Sequence, residues 1–371
     1  MRVTGHAYPW DVLGDPSFTR RVTAIGVSTV ALAAAYHSTR AATPLHPGRQ
    51  LVDARHAALY RPVRASVWSA RRLRPLEPDW MSTPDSFGEA AGVLRSAGLR
   101  VAAWVVLTHD TRLGTEFPDV AVVNCFGERY AYALCPSWAE VREYAALLAR
   151  EAAREADEVS LEACGQLGLS HSSRHDKTGG AWSSMALRWL SVCCCTACQS
   201  GWSARGLDPA WVVSQLREAV RAEAGGLVGV VPFADALLDT RHSSTDELRA
   251  AVLSELDVPV RLHAHPDPWE TGSSPGLTSS AASSSAGSVE SLTVPAWPTD
   301  PATADLVVHA ARTGRPVDAY VSVLPPAEPA DLPDHARRLR EAGATGVNLY
   351  HLGLAPRWRH PLLRELARLG A

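Results

Sequence analysis

A short apolar run followed by an amphipathic helical stretch recurs along most of the chain, and this alternation constrains the fold most. The runs are continuously apolar rather than alternating, which is typical of strands buried on both faces of a parallel sheet. Eight strand–helix units over about 340 residues are what a closed (β/α)8 barrel requires. We therefore predict an α/β fold, a (β/α)8 TIM barrel. The predicted strands are Val30–Ala35, Leu99–Leu107, Glu158–Leu161, Val228–Phe233, Val258–Leu262, Leu292–Ala296, Val317–Leu324 and Gly346–Leu349.

The spacing of these units predicts a single barrel domain over residues 1–371. Residues 164–205, after the strand that ends at Glu162, are expected to form a loop insertion that contains His and Cys. Residues 272–288 are almost wholly Ser, Ala, Gly and Thr, which is typical of a flexible loop. One ambiguity stays open, because Ala57–Val63 also has strand character. If it belongs to the barrel, Glu162 ends the fourth strand instead of the third.

The composition argues against several classes of function. The 371 residues carry a formal net charge of -3, which gives no electrostatic basis for binding nucleic acid or an anionic membrane. No apolar run approaches the roughly 20 residues of a membrane span, and Met1–Arg20 lacks the order of a secretion signal. Seven cysteines, four of them within Cys193–Cys198, do not resemble a secreted disulfide framework. We expect a cytoplasmic protein with no nucleic-acid or membrane partner.

Carboxylates that follow the predicted strands are the candidate catalytic groups. Active-site residues of such barrels lie beyond the carboxyl ends of the strands, and Glu162 follows one of the apolar runs. Glycoside cleavage needs two carboxylates across the scissile bond, one of them able to hold a proton near neutral pH. For the second carboxylate we favour Asp235 and then Asp267. Asp110 and Asp300 are further candidates. The alternative for each aspartate is a helix N-cap or a loop salt bridge.

Histidines and aromatic residues also collect at the predicted strand ends. One interpretation is a carbohydrate pocket, because sugars present hydroxyl groups to polar side chains and CH faces to aromatic rings. The other is a catalytic metal with an open coordination position. Its first two ligands would be His263 and His265, and Asp267 or His37 would supply a third. The predicted pocket residues are Tyr36, His37, Trp104, His109, His171, Lys177, His263, His265, Trp297 and Tyr350.

The cysteines form a more specific pattern. A Cys-x-Cys-x-x-Cys spacing, formed by Cys193, Cys195 and Cys198, can place three thiolates around one zinc ion. The alternative is a run of small buried hydrophobic residues, since free cysteine packs in that way. We predict that no cofactor is required and leave a structural zinc ion as an open alternative. The fourth ligand of that ion would be Cys125, Cys135, Cys164 or a histidine.

Two segments carry a resemblance to a known group of proteins. The run Ala133-Leu-Cys-Pro-Ser-Trp-Ala-Glu-Val-Arg-Glu-Tyr144 is followed by a helical stretch and by Val159-Ser-Leu-Glu162. It resembles the CP-x-x-x-E-VR-x-Y … DGIxLD/E pattern of glycoside-hydrolase-like TIM barrels. The resemblance extends over most of the chain, from Tyr36-His37 to Asn348-Leu-Tyr-His-Leu-Gly353. It implies a barrel with an acidic residue at Glu162.

Within that group the chain resembles uncharacterised bacterial proteins with an LExxGxxxxxHxxHHEK segment followed by LCFCPAC. Two departures matter. Arg174-His175-Asp176 replaces the usual His-His-Glu, and a second carboxylate late in the barrel is not evident. Both departures count against ordinary two-carboxylate catalysis. The matching residues are Leu161-Glu162, Gly165, His171, His175-Asp176-Lys177 and Cys193 through Cys198.

These observations predict a glycoside-hydrolase-like enzyme that acts on a sugar-containing small molecule or an oligosaccharide. Glu162 is the predicted general acid/base, and Asp235, His175 and Asp176 complete the predicted catalytic set. Two alternatives remain open. One is a metal-dependent hydrolase or lyase with histidine ligands, and the other is a barrel without catalysis that binds a glycan or a protein partner.

Overall fold

The computed structural model describes residues 2–169, 180–278 and 289–369, and it shows a closed barrel of eight parallel strands. Each strand pairs with the next one along the chain, and the first also pairs with the last, which closes the sheet. The predicted (β/α)8 barrel is confirmed. Its strands are β1 (Arg2–Ala7), β2 (Thr29–Tyr36), β3 (Arg100–Val106), β4 (Glu158–Glu162), β5 (Val260–His263), β6 (Val289–Pro295), β7 (Val317–Ser322) and β8 (Gly346–Tyr350).

Seven of the eight predicted strands belong to the barrel, and one prediction is wrong. Val228–Phe233 forms no strand, and its Val228 side chain is 78% exposed between two helices. The barrel strand that the sequence analysis did not predict is β1, which carries Arg2, Thr4 and His6 and therefore lacks a continuous apolar run. Ala58–Leu59 is only a two-residue strand antiparallel to β2, outside the barrel. Glu162 does end the fourth strand, because β1 precedes the strands that were predicted.

The strands are buried on both faces, as their apolar runs indicate; every residue of β2 is buried, for example. Helices cover the outside, and in the described part of the chain no helix is long and apolar enough to cross a membrane. The α-helices are Pro9–Val12, Phe18–Ile25, Ala65–Trp68, Ser86–Ser96, Thr111–Glu116, Ala139–Ala153, Ser184–Leu190, Thr196–Ser203, Pro209–Ala224, Ala234–Leu253, Thr303–Ala311, Leu332–Glu341 and His360–Leu369.

The amino-terminal end of the barrel interior is closed by a buried ion network. Arg261 on β5 binds Glu158 on β4, and its second amino group lies 3.1 Å from the Asp318 carboxylate on β7. Arg2 also binds Asp318 at 3.1 Å, and the Ser291 hydroxyl donates to the same carboxylate at 2.7 Å. These charges fill the bottom of the barrel, so any functional cavity lies toward the carboxyl ends of the strands.

The described part of the connection from β4 to β5 contains four helices, and two of them, Ser184–Leu190 and Thr196–Ser203, lie within the predicted insertion. It packs on an antiparallel pair of strands that follows β3, Ala121–Val123 and Arg129–Leu134. The Tyr130 hydroxyl of that pair donates to the Leu190 carbonyl oxygen at 2.8 Å. Residues 170–179 of the insertion and residues 279–288 of the Ser/Ala/Gly-rich loop lie outside the described residues.

Candidate active site

Four aromatic and imidazole rings form one layer inside the barrel. His6, Trp104, His263 and Tyr320 come from β1, β3, β5 and β7, so alternate strands supply the layer as barrel geometry requires. The His6 ring lies 4.6 Å from both the Trp104 and the Tyr320 ring, and the His263 ring lies 5.2 Å from Tyr320. All four side chains are buried. This layer is the floor of the candidate site.

Glu162 lies at the end of β4, next to that floor. The indole N–H of Trp104 donates to the Glu162 Oε2 atom at 2.7 Å. Burial raises the pKa of Tyr36, Tyr320 and Tyr350, and the negative charge of Glu162 raises each of them further. The carboxylate therefore lies among side chains from β2, β3, β7 and β8, inside the barrel mouth.

The protonation of Glu162 suits acid–base work near neutral pH. The side chain is buried, with 7% of the residue exposed, and this burial raises its pKa to about 7. The hydrogen bond from Trp104 acts in the opposite direction, because it stabilises the carboxylate. A carboxyl group with this pKa can both hold and release a proton at physiological pH.

We expect Trp104→Phe to raise the pKa of Glu162 above its present value. The phenyl ring keeps an aromatic side chain in the floor but removes the indole N–H that stabilises the ionised form. Titration of the Glu162 carboxyl carbon by NMR in isotopically labelled protein checks this. A pKa that stays the same or falls would show that the indole hydrogen bond does not stabilise the carboxylate.

We also expect Glu162→Gln to stabilise the fold more at alkaline than at acidic pH. A folded pKa of about 7, against 4.5 for the free side chain, means that the native state binds this proton more tightly than the unfolded chain. Stability is therefore lost between these two pH values as pH rises, by on the order of 3 kcal/mol. Urea unfolding of both proteins at about pH 5 and about pH 8 measures the difference. Equal differences at the two pH values would contradict a buried, proton-holding Glu162.

The floor is uncharged and has unused hydrogen-bonding atoms. Burial lowers the pKa of His263 to about 3 and that of His6 well below its usual value, so both rings are neutral. His263 Nε2 lies 3.0 Å from the Ser160 hydroxyl, but its Nδ1 and both nitrogens of His6 have no partner among the described residues. The buried Asn348 Oδ1 atom also has no hydrogen-bond partner among the described residues. Buried polar atoms of this kind are normally satisfied by water or by a polar ligand.

The predicted aromatic and histidine residues line the same end of the barrel. The Trp297 ring is 4.9 Å from Tyr350 and 42% exposed, which places it at the rim. The His37 ring stacks on Tyr36 at 4.3 Å and lies 4.4 Å from His109. The structure thus brings together most of the predicted pocket residues for which it describes a position. These are Tyr36, His37, Trp104, His109, His263, Trp297 and Tyr350.

A group that follows β1 was missed by the sequence analysis. The Tyr8 hydroxyl donates to the Tyr36 hydroxyl at 3.4 Å. Asp11 accepts the Tyr8 backbone N–H at 2.8 Å, and burial raises its pKa to about 7. Asp11 lies 3.9 Å from His351 Nδ1, but that nitrogen accepts backbone N–H groups and burial lowers the His351 pKa to about 3, so no ion pair forms. The run His6-Ala-Tyr8, which ends at a proline, is the sequence signal of this strand end.

Among the residues that the structure describes, the other predicted carboxylates do not face Glu162. Asp235 lies exposed in the first turn of Ala234–Leu253, so the prediction that it follows a barrel strand is wrong. Asp110 caps the helix Thr111–Glu116 by accepting the Leu113 N–H at 2.9 Å, which was the alternative role. Asp300 lies on the surface before Thr303–Ala311 and accepts the Thr303 hydroxyl.

The predicted histidine metal site is not assembled in the described residues. His265 is half-buried and its Nδ1 accepts the Asp267 backbone N–H, while the Asp267 carboxylate is exposed 3.8 Å from Arg188. His263 instead contacts Ser160 in the barrel interior. The remaining predicted site residues, His171, His175, Asp176 and Lys177, lie outside the described residues.

Four cysteines meet where the insertion packs on the strand pair that follows β3. Cys135, Cys193, Cys195 and Cys198 are all buried, and their sulfur atoms lie within 4.8 Å of one another. Within the described ranges they are the only group of three or more His, Cys, Asp or Glu side chains with the geometry to hold a metal ion. The sequence left the fourth ligand open among three cysteines and a histidine. The structure places one of these cysteines, Cys135, beside Cys193, Cys195 and Cys198.

No protein-family model matches the sequence, and no curated protein is significantly similar to it, so the motif resemblance stays a prediction. Solved structures share the barrel. α-L-Fucosidase isoenzyme 2 from Paenibacillus thiaminolyticus matches with a TM-score of 0.58 and 14% identity, over 99% of this chain and 49% of the fucosidase. The catalytic domain of β-amylase from Paenibacillus polymyxa matches with a TM-score of 0.57 and 11% identity, over 98% of this chain and 96% of the amylase domain. β-Galactosidase from Marinomonas ef1 matches with a TM-score of 0.55 and 11% identity, over 99% of this chain and 59% of the galactosidase. The chain thus spans about half of the fucosidase, and at these identities the likeness to all three enzymes shows a shared barrel fold.

Proposed function

We propose that the protein is a glycoside-hydrolase-like enzyme in which Glu162 is the general acid/base. The observation that carries this proposal is a buried carboxyl group at the end of β4 whose pKa is about 7. Protonation of a glycosidic oxygen requires an acid that is still protonated near neutral pH, and burial supplies that property here. The indole of Trp104 fixes the carboxylate by its hydrogen bond.

The proposed substrate is a sugar-containing small molecule or an oligosaccharide. Trp297 and Tyr350 offer ring faces at the rim, and the neutral His6 and His263 offer donors and acceptors at the floor. Sugars match this combination, because their CH faces pack on aromatic rings and their hydroxyl groups take up hydrogen bonds. The carbohydrate-active enzymes among the solved structures with the same barrel support this substrate class.

The second catalytic group of the proposal comes from the loop after β4. Asp235 is exposed on a helix, and Asp11 already accepts the Tyr8 N–H and lies against the backbone at Gly353. His175 and Asp176, which follow Glu162 in sequence, remain the proposed partners that orient substrate or water. His171 and Lys177 are proposed to contact the substrate from the same loop.

Any metal at the four cysteines is structural in this proposal. All four ligands come from the protein, which leaves no coordination position for a substrate. The cysteines are free thiols in the structure, and we propose a cytoplasmic location, where thiols persist in the reduced form.

Turnover across a panel of aryl glycosides and natural oligosaccharides tests the proposed function. We expect the release of a reducing sugar from at least one substrate, with activity abolished or strongly reduced by Glu162→Gln. If no member of the panel is cleaved while one sugar raises the melting temperature, the protein is instead a carbohydrate-binding barrel.

A further inference from the structure

We infer that Cys135, Cys193, Cys195 and Cys198 bind one zinc ion that joins two loops at the rim of the barrel. The Cys135 sulfur lies 3.6 Å from the Cys198 sulfur and 3.8 Å from the Cys195 sulfur. Four thiolates placed about 2.3 Å from a tetrahedral zinc ion have sulfur–sulfur edges of about 3.8 Å. A disulfide requires a separation of about 2.0 Å, so the observed spacing is that of metal ligands.

The four cysteine side chains are packed together and buried. Cys195 is the N-cap residue of the eight-residue helix Thr196–Ser203, and Cys198 follows in the first turn of the same helix. Four thiols packed in this way cannot all ionise unless a cation compensates their charge, and metal binding releases their protons.

A polar contact beyond the sulfur atoms also fits a metal centre. The Ser137 hydroxyl lies 3.1 Å from the Cys198 sulfur and 2.9 Å from the Ser244 hydroxyl, so it is held in position to donate to a thiolate. Outer hydrogen bonds of this kind orient metal ligands. A tetrahedral site of four thiolates selects zinc or iron, and zinc is the usual ion of structural sites with Cys-x-x-Cys spacing.

The four ligands come from two different connections of the barrel. Cys135 directly follows the strand Arg129–Leu134 after β3, whereas the other three belong to the connection after β4. The two connections are otherwise held together by hydrogen bonds, such as the one from the Tyr132 hydroxyl to the Gly168 carbonyl oxygen at 3.0 Å. The zinc ion would add a tight link between the segment that follows Glu162 and its neighbour. That position explains why the insertion is anchored beside the candidate active site.

Native mass spectrometry of the full chain, purified without added metal, tests the inference. We expect about one zinc ion per chain, as for a structural site. Cys135→Ser and Cys198→Ser should each lose the ion and lower the melting temperature. Cys194→Ser is the matched control, because Cys194 is buried between the ligands in sequence but lies outside the group. A full zinc complement in Cys198→Ser would overturn the inference.

A measurement on the unaltered sequence covers the case in which the serine variants fail to fold. Replacement of the bound ion by Co²⁺ should give the intense sulfur-to-cobalt charge-transfer absorption of a site with four thiolates. Protein that takes up no metal, that contains a disulfide among these four cysteines, or that carries iron as isolated would contradict the zinc site. None of these readouts depends on catalytic activity, so the inference stands or falls independently of the proposed function.

Discussion

Glu162→Gln is expected to reduce kcat by about 10²- to 10⁴-fold on any glycoside that the protein cleaves, the range typical of a lost general acid or base. Glutamine keeps the size of the side chain and can still accept the hydrogen bond from Trp104. It cannot release or take up a proton, which is the property that the pKa of about 7 gives to Glu162. Steady-state kinetics of the purified variant measure the loss.

The variant Glu341→Gln serves as the control for this experiment. It makes the same chemical change at an exposed carboxylate at the end of the helix Leu332–Glu341, which leads into the amino-terminal end of β8, whereas the candidate site lies at the carboxyl ends of the strands. We expect its kcat to equal that of the unaltered protein. If Glu162→Gln retains full activity, Glu162 has no part in proton transfer and the proposed mechanism is wrong.

Arg261→Met is expected to destabilise the protein by about 3–5 kcal/mol, because it leaves buried carboxylates without their cation. Arg261 is almost fully buried and binds both Glu158 and Asp318 at the amino-terminal end of the barrel. Arg2 still reaches Asp318 at 3.1 Å, so Glu158 is the group that loses most. The free energy of unfolding from urea titrations measures the effect.

Two further variants show whether burial is the cause of that loss. Arg40→Met breaks an exposed ion pair with Asp53 and should change the stability by less than about 1 kcal/mol. The double variant Arg261→Met, Glu158→Met removes both charges and should be less destabilised than Arg261→Met alone. A loss of stability in Arg261→Met no larger than in Arg40→Met would mean that the network contributes little to the fold.

The barrel could be predicted from the sequence because most of its strands are continuous apolar runs. β2 and β3 are examples, and both are buried along nearly their whole length. β1 was not predicted, because a search for continuous apolar runs cannot find a strand with polar side chains such as Thr4 and His6. The exposed apolar loop around Val228 was instead counted as one of the eight predicted strands.

The site was predictable in part for a related reason. Glu162, His263 and Tyr350 lie at strand ends that the apolar runs indicate, and they meet because parallel strands end at the same edge of the barrel. His6 lies in the overlooked strand and Asp11 follows it, so their contribution could not be found in the same way. The fourth cysteine of the group posed a different problem, since Cys135 lies 58 residues before Cys193 and only the packing of the insertion brings them together.

The pH dependence of kcat/KM tests the central claim most directly, namely that Glu162 exchanges a proton with the substrate near neutral pH. We predict an ionisation at about pH 7 in the unaltered protein, since that is the pKa of the buried carboxyl group. This ionisation should move to higher pH in Trp104→Phe and disappear in Glu162→Gln. A profile that keeps the same ionisation in both variants would contradict the claim.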